Sequence, residues 1–300
     1  MATPPRRSAA APAGSAIAAP AEARLFDLLD RYDGVLLDAY GVLVDGRGAL
    51  AGAAELLAEL RRRRLPFLVV TNDSSRLPET TSARLCRLGL DVPARAILTS
   101  GQLLAPYFAA RGLAGARCLV LGTDDSRRYV ADAGGAVAPI EEGADYDVLA
   151  VCDDEGYPFL ESVNAALGAL FRAIDAGRAM HLVLPNPDLV FPAGPGAWGF
   201  TSGAVALLFE AALARRYPER GLAFDRLGKP HRPLFDEAVR RIGSERLLMV
   251  GDQLETDIAG ARGRGLDAAL LITGVSRWTG DQARAGDPAL APTFLLDRLA

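Results

Sequence analysis

Asp38, Thr71 and Asp252 each follow a short apolar run with no helical period: Val35-Leu36-Leu37, Phe67-Leu68-Val69-Val70 and Leu247-Leu248-Met249-Val250. Such runs read as strands buried on both faces, as in the middle of a parallel sheet. The carboxyl ends of those strands are where open α/β sheets hold their ligands. Asp257 lies one turn beyond Asp252, and Lys229, the only lysine of the chain, sits on a Gly-Lys-Pro loop. A carboxylate is costly to bury unpaired, so Asp38 calls for a metal ion, a cation or several N–H donors. Carboxylates with no thiolate or imidazole among them are hard oxygen ligands that suit Mg2+, which shares its coordination with substrate phosphate. Thr71 and the N–H groups beside it can receive phosphate oxygens at a helix N-terminus. Lys229 can offset charge between carboxylates and phosphate. Asp38 is then free to attack phosphorus, since a carboxylate can form an aspartyl-phosphate. An aspartate after a strand is ordinarily a turn residue or helix N-cap; it is the ordered set that points to chemistry.

The elements that must position these groups follow from the hydrophobic pattern. Residues 21–31 predict a short amphipathic lead-in helix before the Asp38 strand. A turn over Val44–Gly48 leads to a helix over 53–64 with Leu56, Leu57 and Leu60 as its buried stripe. After the Thr71 strand come a helix over 78–88, a third short strand or a strand-to-helix turn over 97–101, and a helix over 102–110. Cys118-Leu119-Val120-Leu121 opens a second βα series, with strands over 148–151 and 181–184 around a long helix over 159–176. The Gly- and Pro-rich stretch 193–203 predicts a connector. Helices over 204–215 and 233–241 flank the Lys229 loop, and a strand near 268–272 follows the Asp252 region.

At 300 residues the chain suits two domains, or one carrying a large insertion, and 50% hydrophobic residues supply an ample core. A net charge of −4 and a pI near 5.4 give no footprint for nucleic acid. Cys86, Cys118 and Cys152 form no CxxC pair and read as thiols of a reducing, cytoplasmic compartment. No apolar run has the length of a membrane span. Residues 1–21, rich in Ala, Pro, Gly and Ser, are expected to be a disordered tail.

The sequence resembles the haloacid dehalogenase-like (HAD) hydrolase superfamily. Asp38-Ala39-Tyr40-Gly41-Val42-Leu43 is similar to its first motif, Thr71-Asn72-Asp73-Ser74 to its second, Lys229 in Gly-Lys-Pro to its third, and Gly251-Asp252 through Asp257 to its fourth. The likeness runs from residue 32 to residue 276, and the long insertion between the second and third motifs, ending near Asn186-Pro187-Asp188, resembles class IIA. That class includes pyridoxal-phosphate, phosphoglycolate, nitrophenyl-phosphate and NagD-like nucleotide phosphatases. The resemblance implies an α/β fold, with a doubly wound, mostly parallel core sheet over 22–102 and 198–300 and an inserted α/β cap over 103–197. It also implies a Mg2+-dependent hydrolase, a phosphatase of small phosphorylated metabolites, with the cap selecting the leaving group and offering the surface for any homo-oligomer.

The roles it implies fall on particular residues. Asp38 would be nucleophile and Mg2+ ligand, joined at the metal by the Tyr40 carbonyl and Asp252, with Asp257 in support. Thr71, Asn72 and Lys229 would hold the phosphoryl group. Asn186 and Asp188 either line the site or are ordinary turn residues. Tyr40 departs from the family's phosphatases, which carry an aspartate there to protonate the leaving group and activate water. A phenol can donate a proton but is a poor base at neutral pH; Asp45 or a cap carboxylate is the alternative. Tyrosine at this place also resembles the 2-haloacid dehalogenases, which put their cap between the first two motifs and use no Mg2+. A phosphate-ligand binder with impaired catalysis is the remaining reading.

Overall fold

The computed structural model describes residues 19–194, 196–274, 276, 278 and 290–300, so residues 1–18 of the expected tail lie outside the described residues. The chain forms strands β1 (Ala21–Glu22), β2 (Gly34–Leu37), β3 (Phe67–Thr71), β4 (Ile97–Thr99), β5 (Arg117–Leu121), β6 (Ala136–Val137) and β7 (Val148–Val151). These are followed by β8 (His181–Leu184), β9 (Val190–Gly194), β10 (Ala197–Phe200), β11 (Asp225–Arg226), β12 (Leu247–Gly251), β13 (Asp267–Leu271) and β14 (Phe294–Leu296).

One sheet has seven parallel strands in the order β1-β14-β13-β12-β2-β3-β4. All four residues of β2 are buried. Alternation of side chains along a strand sends Val35 and Leu37 to one face, against Leu56, Leu57 and Leu60 of helix Ala53–Arg63. Leu36 goes to the other, against Leu234, Phe235 and Ala238 of helix Arg232–Ile242. Helices on both faces explain why β2 and β12 read as unbroken apolar runs. From β2 the chain moves through β3 to β4 on one side, and β12, β13 and β14 add on the other. Direction therefore reverses between β2 and β12, which is where such sheets open a ligand crevice.

The second sheet is also parallel, with five strands in the order β11-β8-β7-β5-β6. Its far face buries Val163, Ala166 and Leu170 of helix Phe159–Asp175 together with Val205, Phe209 and Leu213 of helix Ser202–Arg216. That packing corrects the expected return to the core at residue 198. Helix Ser202–Arg216 and β11 are built into the cap, and the chain leaves the cap sheet only at Gly228. A two-residue strand carries no period from which this could be read.

The stretch 193–203 is not a plain connector. β9 and β10 form an antiparallel hairpin, turned through Gly194 and Gly196 at φ 158° and 71°. Its Trp198 and Phe200 are 62% and 73% exposed. Gly and Pro, which ordinarily mark loops, here mark the turn and an edge strand. The expected lead-in helix is shorter than 21–31: β1 pairs with β14, and helix Leu25–Leu28 continues as a tighter turn over Leu29–Arg31. No described helix is long and apolar enough to cross a membrane.

The two sheets meet through the carboxyl ends of their strands. Beyond β5, Thr123 Oγ1 donates to the Ser75 carbonyl at 2.7 Å and Ser126 Oγ to that of Ser74 at 2.9 Å. Beyond β7, the Cys152 carbonyl accepts from Ser74 Oγ at 2.6 Å. Beyond β8, Asp188 accepts from Asn72 Nδ2 at 2.9 Å. The cap thus sits on the loop that follows β3.

Candidate active site

Asp38 extends the end of β2, its N–H donating to the Val250 carbonyl of β12 at 3.0 Å. Asp252 follows β12 directly, so strand pairing alone sets these two carboxylates side by side. Two glycines make the approach possible. A Cβ on Gly41, whose φ is 88°, would overlap the Asp252 carboxylate, and one on Gly251 would overlap Asp257. Asp257 stands in a π-helical turn over Leu254–Ile258 and accepts the N–H groups of Asp252 and Gln253 on Oδ2, both at 3.2 Å. Asp38, Asp252 and Asp257 are all buried, and each offers an oxygen within 4.8 Å of the others.

Lys229, 3% exposed, closes this cluster. Its Nζ lies 2.7 Å from Asp38 Oδ1 and 2.7 Å from Asp257 Oδ1. Burial acts to lower the pKa of this ammonium, but Asp257 and Asp38 outweigh it and hold the group above its ordinary value. Burial and then the Asp257 and Asp252 charges push the Asp38 carboxyl well above its ordinary range, against the pull of Lys229. Three carboxylates and one ammonium leave net negative charge in a desolvated crevice, and the donors are hard oxygens. A small divalent cation fits that set. Asp257 is held by Lys229 and by the N–H groups of Asp252 and Gln253, and with Asp38 and Asp252 it makes up the carboxylate set that would hold the ion.

The remaining expected residues divide. Thr71 ends β3 and its hydroxyl accepts the Asp73 N–H at 3.2 Å. The Asn72 side chain is turned inward. Its Oδ1 accepts the Lys229 N–H at 2.7 Å, and its Nδ2 donates to the Lys229 carbonyl and to Asp188 Oδ1, both at 2.9 Å. Asn186 is occupied as a turn residue, accepting the Asp188 N–H at 3.0 Å and donating to Thr201 Oγ1 at 3.4 Å. Asp188 reaches the site through Asn72, and burial holds its carboxyl above the ordinary range. Tyr40 is half-buried with its hydroxyl against Gly46 of the following turn. In that turn Asp45 Oδ1 accepts the N–H groups of Arg47 and Gly48 at 2.7 and 3.1 Å, which is the work of a turn aspartate.

Two features of the cleft escaped the sequence. The Asn72 network joins residues 157 and 116 positions apart, which no local pattern can signal. Asp153 and Asp154 stand at the carboxyl end of β7 on the cap side. Burial and the adjoining Asp153 push the Asp154 carboxyl up to about 6. A pair of aspartates after a buried apolar run was the available signal.

Residues 35–136 match the family described as haloacid dehalogenase-like hydrolase, and residues 226–300 the one described as HAD-hydrolase-like. The D-glycerol 3-phosphate phosphatase of Mycobacterium tuberculosis is 33% identical over 89% of this chain and 70% of its own. A solved structure of a possible sugar phosphatase from Cytophaga hutchinsonii superposes with a TM-score of 0.79 at 28% identity, covering 93% of this chain and 98% of that one. A glycerol phosphate phosphatase from Mycobacterium tuberculosis, solved in complex with magnesium, gives 0.74 at 29% identity over 91% and 76%. Motif aspartates at adjoining strand ends, the cap inserted after β4 and these matches lead to one conclusion: the chain belongs to the haloacid dehalogenase-like hydrolases, in their class IIA branch.

Proposed function

We propose that this chain is a Mg2+-dependent phosphatase of small phosphomonoesters that works through an aspartyl-phosphate on Asp38. The observation that carries the reading is the buried constellation of Asp38, Lys229, Asp252 and Asp257 at the switch point of the sheet. Mg2+, when bound, would supply positive charge to the phosphoryl oxygens. The chain's own residues do the rest. Lys229, held by Asp257, presents its ammonium beside the nucleophile and offsets the charge that accumulates as Asp38 approaches an anionic phosphoryl group. Thr71 and the backbone after β3 receive the other phosphoryl oxygens. The cap roof, with the Asp153–Asp154 pair beyond β7, faces the leaving group. Tyr40 can protonate a leaving alkoxide but is a poor base for the water that must release phosphate, so hydrolysis of the aspartyl-phosphate is the slow half of the cycle.

The named activities of the relatives favour a sugar or polyol phosphate as substrate. Dehalogenation is disfavoured because the cap follows the second motif and the metal-type aspartates are present. The free thiols of Cys86, Cys118 and Cys152 support a cytoplasmic setting, and the exposed hairpin of β9 and β10 is the surface that self-association through the cap would use. A panel of small phosphomonoesters, assayed with Mg2+ and with EDTA beside a 2-haloacid control, tests the reading. Phosphate release that EDTA abolishes is expected. Halide release without Mg2+, or no turnover of any phosphomonoester, would reject it.

A further inference from the structure

Lys229 stands where the chain passes from the cap sheet to the core. β11 is an edge strand of the cap sheet, and its ladder with β8 continues past its end: the Leu227 N–H donates to the Leu184 carbonyl at 3.1 Å and the Gly228 N–H to that of Pro185 at 2.9 Å. The next residue is Lys229. Its two backbone polar groups are taken by one side-chain amide, that of Asn72, on the core side. The remaining N–H of that amide is taken by Asp188, on the cap's return from β8. Asn72 is 4% exposed, and a Cβ on Gly228 would overlap its Oδ1, so the amide packs directly on the Gly228 backbone. The Asn72 main chain is fixed as well, its carbonyl accepting Ser100 Oγ at 2.6 Å.

We propose that Asn72 and Asp188 are positioning residues that tie the seating of the cap to the placement of the Lys229 ammonium. The link rests on Lys229 acting in phosphoryl transfer as proposed above. When the cap is seated, Asp188 orients the Asn72 amide, and the amide fixes both backbone groups of Lys229, aiming its side chain between Asp38 and Asp257. When the cap lifts, the cap's return from β8 carries Asp188 away from the Asn72 amide, and the amide, with the lysine backbone that it holds, loses its fixed orientation. Transfer is thereby confined to the closed state, in which water is excluded from the cleft.

The chain offers a direct probe, because Lys229 is its only lysine. Labelling the full chain with 15N-lysine yields one backbone amide signal, that of the N–H bonded to Asn72. Asp188→Ala removes the cap's hold on the amide and leaves the lysine's own partners in place. At unchanged circular dichroism, the signal is expected to shift and its exchange with solvent to speed up about tenfold, the factor carried by one charge-assisted hydrogen bond. With it, kcat should fall about tenfold while KM moves less than about threefold, since the interaction acts in the transition state. Asp188→Asn, whose carbonyl still accepts from Asn72, should restore both. Asp125→Ala cuts a separate cap–core link, to the Leu77 N–H and Thr80 Oγ1, and should move neither. If Asp188→Ala does not fold, Asp188→Ser is judged by the same readouts. An unmoved Lys229 amide, or a moved amide with unchanged kcat, overturns the proposal. A wild-type chain that hydrolyses no phosphomonoester sinks the phosphatase reading instead, and the amide signal still decides whether the clamp exists.

Discussion

Replacing Lys229 by Met is the sharpest test of how the site is held together. The methionine keeps the length and the apolar stem but removes an ammonium that is 3% exposed and sits 2.7 Å from both Asp38 and Asp257. Without it, Asp38, Asp252 and Asp257 remain as buried carboxylates within 4.8 Å of one another. Breaking a buried ion pair by deleting one partner costs about 3–5 kcal/mol. At roughly 2–4 °C per kcal/mol, the melting temperature in EDTA should fall by about 6–20 °C. The pH dependence has a definite sign. Burial raises the Asp38 carboxyl, so the folded chain holds a proton that the unfolded chain releases near pH 4. Its contribution to stability is complete below that pH and is lost as pH rises through the raised value. Lys229, also raised, contributes fully at any pH below its ordinary value near 10.4, so over the acid range its own term is constant. Removing it raises the carboxyls further. The deficit of Lys229→Met should therefore shrink as the pH is lowered through the acid range. Mg2+ should raise the variant's melting temperature more than the wild type's, because the cation meets a cluster with no competing ammonium. Thermal melts with EDTA and with Mg2+ across this pH range measure all three effects. A variant melting within about 2 °C of wild type in EDTA, on the scale of less than one kcal/mol, would refute the view that the ammonium holds the carboxylates together.

Gly41→Ala should lose about 1–3 kcal/mol from its positive φ and most of the Mg2+-dependent rise in melting temperature, since the new methyl overlaps the Asp252 carboxylate; a normal Mg2+ response would show that Asp252 is not at the metal. Tyr40→Asp should raise steady-state turnover of nitrophenyl phosphate, by up to the roughly 10²–10⁴-fold that general acid–base help supplies, and erase the pre-steady-state burst expected of the wild type. A stably folded Tyr40→Asp chain with wild-type rate would mean that another group, such as Asp154, already activates water.

The sequence alone determined the components and where each stands on its element. Val35-Leu36-Leu37, Phe67–Val70 and Leu247–Val250 are locally complete statements of strands buried on both faces, because burial from two sides demands an unbroken apolar run. The polar residue that ends such a run must lie at the carboxyl edge, which placed Asp38, Thr71 and Asp252 before any strand order was known. Tertiary structure decided which strand ends adjoin. β12 pairs with β2 although more than two hundred residues separate them in the chain, and only that pairing brings Asp252 to Asp38. It decided that β11 belongs to the cap, that the Gly- and Pro-rich stretch is a hairpin, and that the Asn72 amide faces Lys229. These depend on register, on two-residue ladders and on side chains meeting across the cleft. Period and composition describe a segment against its own neighbours in the chain, whereas each of these contacts is fixed by what the rest of the fold places opposite it.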